Sequence, residues 1–328
     1  MFLFRRKHQV NVVSEKSYVL GTNINITAYG EGALKGVAKS IQRLNDIDDK
    51  MSVFKEDSEV YKINKNAGGN YQSLSLDTYK VIENAIQHSI ISKGSFDITI
   101  KPLVDLWKLG KENERIPEYK EIKEYMKLVN YEDVLMNPEN TSVKLRNINQ
   151  SIDLGGVAKG FAADEVSLIL KENKVSSALI DLGGNIFALG NKVDGKKWKI
   201  GVQNPFDRTK EYIGILHIIN KSVVTSGSYE RYFKLNNKKY HHIIDTKTGY
   251  PVDNKIVSVT VISDKSIDGD SLASCAYTMG LTSGYELIES TKGIEAIFIT
   301  EDRYVFLTSG LKRKFKLIDK NFIIKEEI

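Results

Sequence analysis

Residues 151–166 read SIDLGGVAKGFAADEV, and this stretch constrains the fold more than any other part of the chain. Its first four residues predict the end of a short strand, and Gly155 and Gly156 predict a tight turn. From Val157 to Ile169 the apolar residues recur close to the helical period. A strand, a glycine turn and a helix N-terminus together favour anion binding, because free N–H groups and the helix dipole point at the ligand.

Charged side chains surround this turn. Lys159 falls in the first predicted helical turn, and Asp153 and Asp164 flank it. The spacing matches neither G-x-G-x-x-G nor a P-loop, since Phe161 stands where the P-loop lysine would be. Taken alone, the stretch is equally compatible with an ordinary strand-to-helix turn carrying solvated charges.

Composition narrows the class of protein. Among 328 residues Cys275 is the only cysteine, which excludes an internal disulfide and a cysteine metal cluster. The net charge of +5 comes from 47 basic and 42 acidic residues that are interspersed along the chain. Such a mild excess suits a phosphate-bearing ligand but does not indicate nucleic-acid binding.

The N-terminus predicts neither a leader nor an anchor. Residues 1–16 contain an Arg5–Arg6 pair but no apolar segment of the length that an export signal needs. No apolar run approaches the ~20 residues of a membrane-spanning helix. We therefore expect residues 1–16 to form a flexible arm and the protein to be cytoplasmic and without a membrane span.

The remaining pattern favours a single α+β domain over residues 17–328, with a mixed or antiparallel sheet and flanking helices. Helices predominate in the first half and strands in the second, without strict alternation. Tyr18–Tyr29 predicts one strand bent at Gly21, and Asn113–Asn149 predicts a peripheral helical insertion without chemistry. Helices are predicted from Ala33 to Met51, from about Ser75 to Ile91, and from Asp270 to Leu281. Later strands are predicted at Ala178–Leu189, Trp198–Gln203, Ile213–Ile219, Ser222–Thr225, Tyr240–Asp245, Ile256–Ser263, Ala296–Thr300 and Tyr304–Leu307.

Asp270 and Ser274 are candidate ligands of a hard cation. They are four residues apart in a predicted helix, so their side chains share one face. A carboxylate and a hydroxyl suit Mg²⁺, which commonly completes its shell with water and substrate phosphates. The alternative is that Asp270 only caps its own helix.

His241 and His242 stand at a predicted strand end, before Asp245 and the turn TGYP. Adjacent strand residues point to opposite faces, so only one of the two histidines can readily serve a site. A structural hydrogen-bonding role is the alternative for either ring.

These stretches together resemble a known family. DLGGVAKGFAADEV, LIDLGGNIFALG, SGSYERYF, HIIDTKTGYPV and DGDSLASCAYTMG follow one another in that order. They closely resemble the ApbE family of FAD:protein FMN transferases, as do the upstream segments LGTNINITAYG, MSVFKEDSEVYKIN and FDITIKPLVDLWKLG. The resemblance covers roughly residues 18–317.

The resemblance implies an α+β fold that binds FAD and Mg²⁺ and transfers FMN to a Ser or Thr hydroxyl of an acceptor flavoprotein, with release of AMP. It implies Asp270, Ser274 and the carbonyl of Gly156 as Mg²⁺ ligands, where the family usually has Thr for Ser274 and often Ala for Gly156. Asp153 and Lys159 are implied FAD contacts. The residues implied to line the flavin or adenine pocket are Leu20, Phe54, Ser95, Phe96, Asp97 and Ile244. Leu20 and Phe54 depart from the family's common Met and Tyr.

The chemistry requires a base and the neutralisation of diphosphate charge, because an alcohol must lose its proton as it attacks phosphorus. His242, which matches the family's strand-end histidine, is the candidate base, with Asp245 as a candidate orienting group. Lys159 and Mg²⁺ would supply positive charge. Two alternatives stay open: a Mg²⁺-dependent FAD pyrophosphatase that yields FMN and AMP, and a flavin-binding protein without turnover. The sequence does not indicate the oligomeric state.

Overall fold

The computed structural model describes residues 11–108, 114–207, 209, 212–236 and 238–328. Most of the predicted arm therefore lies outside the described residues. The α-helices of the described part are α1 Ala33–Met51, α2 Glu59–Lys65, α3 Leu76–Ile91, α4 Lys101–Trp107, α5 Tyr119–Met126, α6 Ala158–Glu172, α7 Ser266–Met279 and α8 Leu281–Ser290. The strands are β1 Val12–Val19, β2 Thr22–Tyr29, β3 Gln72–Ser73, β4 Val134–Asn137, β5 Ser142–Leu145, β6 Ser177–Leu182, β7 Asn185–Leu189, β8 Trp198–Val202, β9 Gly214–Ile218, β10 Lys221–Gly227, β11 Tyr232–Leu235, β12 Lys238–His241, β13 Ile256–Ser263, β14 Glu295–Thr300, β15 Tyr304–Leu307, β16 Phe315–Leu317 and β17 Ile323–Lys325.

A nine-stranded sheet in the order β1-β2-β6-β7-β10-β13-β14-β15-β17 organises the molecule. Every neighbouring pair in this sheet is antiparallel except β15 and β17. Three smaller sheets accompany it: β16-β9-β8, β3-β5-β4 and the β11-β12 hairpin. The predicted α+β class with a mixed or antiparallel sheet is confirmed.

The large sheet is covered on both faces, and its central strands show this in their sequence. In β13, Val259 and Val261 pack among residues of α7 and α8, whereas Ile262 packs against the β16-β9-β8 sheet. In β14, Phe298 faces the helices and Ile297 faces the small sheet. Alternate residues of a strand point to opposite faces, so a strand covered on both faces is apolar throughout. Helices α1 and α6 cover the neighbouring part of the same face.

The predicted strand Tyr18–Tyr29 is a hairpin of two strands. Leu20 and Gly21 adopt φ of +54° and +69°, the backbone of a two-residue hairpin turn. Strand β1 then runs from Val12 and pairs along its whole length with β2. The predicted boundary of the arm at residue 16 is therefore wrong for residues 12–16, because their backbone groups pair with β2.

The stretch 113–149 is less helical and less peripheral than predicted. Within residues 114–149, which the structure describes, only α5 and one short 3-10 turn are helical, and β4 and β5 form a small sheet with β3. Val143 and Leu145 are fully buried in the main core, and Ile122 of α5 is fully buried under α4. The many charged residues of this stretch made its few buried apolar positions hard to recognise in the sequence pattern.

Helix α7 begins at Ser266, one turn before the predicted start at Asp270. The helices predicted from Ala33 to Met51 and at about residues 75–91 are confirmed as α1 and α3. Helix α4 begins at Lys101, and Pro102 is compatible with its place in the first turn of a helix. Among the described residues, none of the helices combines the length and the apolar character that crossing a bilayer requires.

Candidate functional site

The start of α6 forms the floor of the site. Gly155 and Gly156 turn the chain from a buried segment into the helix, which begins at Ala158. The carboxylate of Asp153 accepts a hydrogen bond from the N–H of Gly155 at 2.8 Å and shapes this turn. Lys159 lies in the first helical turn, as predicted, and donates to the carbonyl of Gly155 at 2.8 Å. Its ammonium group therefore stays beside the glycine turn.

Asp270 reaches this helix start from α7. Its residue is only 4% exposed, and its Oδ2 atom accepts a hydrogen bond from the N–H of Gly160 at 2.9 Å. Burial raises the pKa of Asp270, while the charge of Lys159 and the Gly160 N–H act in the opposite direction. Asp270 does not cap its own helix, which begins at Ser266, but it does cap the first turn of α6.

Ser274 and Gly156 lie next to each other. A Cβ atom built on Gly156 would be 3.6 Å from the Ser274 hydroxyl oxygen and 3.2 Å from the Phe96 ring. The Ser274 hydroxyl also contacts the Ser226 hydroxyl of β10 at 3.2 Å. Ser274 is one turn beyond Asp270 in α7, so the structure brings the three residues predicted to hold Mg²⁺ to one corner, where α6 starts against α7.

The donor set at this corner fits Mg²⁺, which binds carboxylate, hydroxyl and carbonyl oxygens. A soft or borderline metal would require a different set. Within the described part of the chain, no group of three or more His, Cys, Asp or Glu residues is placed to hold a metal ion. A cation held at this corner would therefore have one carboxylate ligand, supported by neutral oxygen donors.

His242 follows β12 and is fixed by the Arg231 carbonyl. That oxygen accepts the backbone N–H of His242 at 3.0 Å and lies 3.2 Å from Nδ1 of the ring. A carbonyl can only accept, so Nδ1 carries the proton and the lone pair is on Nε2. The ring is partly exposed but surrounded by protein, and desolvation lowers the pKa of His242 to about 4. The nearby charge of Lys159 contributes to this lowering.

His241 points the other way, as its position on the strand predicts. Its ring is buried, and Nε2 is 2.9 Å from the Val252 carbonyl. It packs edge-on against Tyr277 with ring centroids 6.0 Å apart. His241 is thus a structural residue, and His242 is the histidine available to the site.

Asp245 does not orient His242. Its carboxylate accepts the N–H of Lys247 at 2.8 Å, and its backbone closes the turn through bonds with Gly249 and Tyr250, each 2.8 Å. The structure gives the orienting role to the Arg231 carbonyl and makes Asp245 a turn residue. No sequence pattern reports a backbone carbonyl as the partner of a side chain, which is why Arg231 was missed.

The loop containing Ser95, Phe96 and Asp97 borders the glycine turn. The Phe96 ring lies against Gly156, and Ser95 is partly exposed beside it in sequence. The Asp97 carboxylate accepts three hydrogen bonds, two from Thr99 at 2.8 and 2.7 Å and one from the Tyr131 N–H at 2.8 Å. Burial raises the pKa of Asp97. Asp97 holds the loop in place, and the stretch 113–149 supports it through Tyr131.

The other three predicted pocket residues differ in how far their side chains are exposed. Leu20 sits in the β1-β2 turn, partly buried against the main core. Phe54 is 78% exposed, so its ring is free to contact a ligand or a partner. Ile244 is 4% exposed and packs among Leu103 and Trp107, so only its backbone can face a ligand.

Comparisons with known proteins all indicate one family. The model of the ApbE family matches residues 20–298. An FAD:protein FMN transferase of Klebsiella pneumoniae (strain 342) is 34% identical and is aligned over 95% of this chain and 96% of its own. One from Treponema pallidum (strain Nichols) is 28% identical over 97% and 92%.

Solved structures give the same result. The ApbE protein of Thermotoga maritima has a TM-score of 0.85 at 28% identity and covers 92% of this chain and 98% of its own. The flavin transferase ApbE of Vibrio cholerae has a TM-score of 0.83 at 25% identity and covers 93% and 99%. The similarity therefore extends over nearly the whole chain rather than over one motif.

Proposed function

The chain belongs to the ApbE family, and from that premise we propose that it transfers the FMN part of FAD to a Ser or Thr hydroxyl of an acceptor flavoprotein and releases AMP. The observation that carries the proposal is the corner where Asp270, Ser274 and Gly156 meet beside Lys159. Such a set of oxygen donors next to a cation suits a diphosphate substrate. Relatives that bear the name FAD:protein FMN transferase support the same reaction.

Mg²⁺ is part of this proposal. The Asp270 carboxylate, the Ser274 hydroxyl and the Gly156 carbonyl would hold it. When bound, Mg²⁺ would supply positive charge that offsets the negative charge of the diphosphate. Lys159 adds a second cation from the protein itself, and the N-terminus of α6 adds its dipole.

The reaction is an in-line displacement at the phosphorus attached to riboflavin. The acceptor hydroxyl oxygen forms a new P–O bond, the P–O bond to AMP breaks, and AMP leaves as a phosphate anion. The hydroxyl proton goes to Nε2 of His242, whose lone pair is set by the Nδ1 contact with Arg231. The low pKa of His242 keeps it neutral before substrate binds, and the approaching phosphate charge raises that pKa toward neutrality.

Mass spectrometry of an acceptor domain tests the proposal directly. The protein is incubated with FAD, Mg²⁺ and the domain, and the expected result is a mass gain of one FMN phosphoester that EDTA abolishes. Free FMN and AMP without a mass gain would indicate the pyrophosphatase instead. FAD that stays intact with several acceptor domains would indicate a binding protein without turnover.

Asp270→Asn separates the metal role from a general loss of folding. We expect activity to fall most at limiting Mg²⁺ and to recover partly at high Mg²⁺, because the amide retains a weak oxygen ligand. Asp181→Asn is the matched control, since the Asp181 carboxylate also accepts a turn N–H, that of Gly184, and has no assigned role at the site. Equal activity of Asp270→Asn and the unmodified protein at low Mg²⁺ would make the metal assignment wrong.

A further inference from the structure

Asn185 is a buried polar residue that the proposed reaction does not use. It is the first residue of β7, directly after Gly183 and Gly184, whose φ values of +65° and +91° form the tight β6-β7 turn. The residue is 1% exposed. Strand β7 packs against both α6 and α7, the helices that meet at the candidate metal site.

A chain of hydrogen bonds fixes one end of the Asn185 amide. The Ser222 hydroxyl of β10 donates to the Ser266 hydroxyl of α7 at 2.8 Å, and Ser266 donates to Oδ1 of Asn185 at 2.8 Å. Both serines are fully buried. The amide oxygen is therefore held toward Ser266, which turns the Nδ2 group the other way.

The Nδ2 group is buried and has no hydrogen-bond partner within the described structure. Unpaired buried donors are rare and destabilising. Asp270 lies four residues after Ser266 in α7, so the two side chains project from the same face of that helix. An amide bonded through oxygen to Ser266 thus presents its nitrogen toward the Asp270 carboxylate.

The electrostatics agree with this arrangement. Burial raises the pKa of Asp270, and the Asn185 amide acts in the opposite direction, together with Lys159 and the Gly160 N–H. No hydrogen bond of standard length and angle joins the two groups, so the amide acts close to, but outside, full hydrogen-bond geometry.

We propose that Asn185 is a positioning residue for Asp270: its Nδ2 group holds the carboxylate in the orientation that binds a divalent cation, and Ser266 and Ser222 hold the amide. The proposal rests on the proposed function, because it takes Asp270 as a ligand. Amide donors that fix a ligating carboxylate typically change metal affinity by about 10–100-fold. Asn185 would thus act on the metal through Asp270 and touch neither metal nor substrate.

Mn²⁺ binding, measured by electron paramagnetic resonance without FAD or acceptor, tests the proposal. Asn185→Leu keeps the shape and removes the amide, and we expect its Kd for Mn²⁺ to rise about 10–100-fold. Asn204→Leu is the matched control, since Asn204 is also 1% exposed but bonds to Phe206 and Asp319 beyond β8. It should lose stability and keep its Mn²⁺ affinity.

Two further variants make every outcome decisive. If Asn185→Leu does not fold, Ser222→Ala, at the far end of the hydrogen-bond chain, should show a smaller rise in Kd. Unchanged Mn²⁺ affinity in whichever of the two is folded would overturn the proposal. Asp270→Asn separates failure of the metal site from failure of the role of Asn185. If Asp270→Asn binds Mn²⁺ normally, Asp270 is not a metal ligand. If Asp270→Asn is the only variant that loses Mn²⁺ binding, the metal site stands and the role of Asn185 is wrong.

Discussion

Asp164 of α6 caps the N-terminus of α7, and Asp270 of α7 in turn caps the N-terminus of α6. Asp164 of α6 accepts hydrogen bonds from the backbone N–H groups of Ser266 and Ile267, the first residues of α7, at 2.7 and 3.0 Å. Asp270 of α7 accepts one from Gly160, in the first turn of α6, at 2.9 Å. Carboxylates at helix N-termini are stabilising, because they satisfy free N–H groups and oppose the dipole. These reciprocal hydrogen bonds fix the position of α6 relative to α7 at the candidate site.

Gly160 lets the two helices approach closely enough to form these hydrogen bonds. A Cβ atom at Gly160 would lie 2.4 Å from the Ser266 carbonyl oxygen, so the two helix starts meet backbone to backbone. We expect Gly160→Ala to destabilise the protein by about 1–3 kcal/mol, the usual effect of overpacking. The midpoint of urea unfolding measures it. Gly155→Ala is the control, because the nearest atom to a Cβ at Gly155 would be a side-chain oxygen of Asp153, at 3.1 Å. An equal loss of stability in both variants would contradict the explanation.

Asp164 should make stability depend on pH. Burial raises its pKa to about 6, although two N–H donors favour the charged form. The folded protein then holds a proton that the unfolded chain releases near the ordinary aspartate pKa of 3.8. This residue's contribution to the free energy of unfolding therefore falls as pH rises from about 4 to about 6.

The stability advantage of the unmodified protein over Asp164→Asn should therefore shrink between pH 4 and pH 7, by up to about 3 kcal/mol. Urea unfolding of both proteins across this range measures the difference. An advantage that is constant with pH would show that Asp164 titrates normally.

His242 should be neutral well below neutral pH in the free protein. Burial lowers its pKa to about 4 from 6.5, so the imidazole gains its proton only in acid. An NMR titration of the histidine ring signals between pH 4 and 8 measures this, and His242→Gln assigns the signal. Adding FAD with Mg²⁺ should move the titration to higher pH, because phosphate charge favours the imidazolium form. A midpoint near 6.5 in the free protein would contradict the desolvated setting.

The Ser274 hydroxyl, rather than side-chain size, should determine metal binding at that position. Ser274→Thr keeps the hydroxyl and matches the residue usual in the family, so we expect it to bind Mn²⁺ much as the unmodified protein does. Ser274→Val has nearly the same volume as Thr and removes the oxygen, so its affinity should fall. Calorimetric titration with Mn²⁺ compares the two. Equal affinities would remove Ser274 from the ligand set.

Local patterns predicted the elements whose own sequence carries a strong hydrophobic repeat. Helices α1 and α3 have strong amphipathic repeats and are confirmed, and β13 and β15 have the predicted bounds. The opposite orientation of His241 and His242 follows from strand geometry alone and is also confirmed. The predictions failed where the local sequence pattern is weak. Residues 12–16 are ordered by pairing with β2, and the stretch 113–149 contributes to the core through a few apolar side chains among many charged ones.

The amino-acid sequence by itself determined the family, the α+β class, the strand–glycine–helix turn at residues 151–166 and the residue types of the site. These depend on local periodicity, turn chemistry and ordered motifs, which are written along the chain. Only the tertiary structure decided that Asp270 caps α6, that the Arg231 carbonyl holds His242, that Asp245 shapes a turn, and that Asn185 accepts a hydrogen bond from Ser266 of α7. Each of these relationships joins segments that lie far apart in the chain or involves backbone groups common to all residues, so side-chain identity along the sequence carries no record of it.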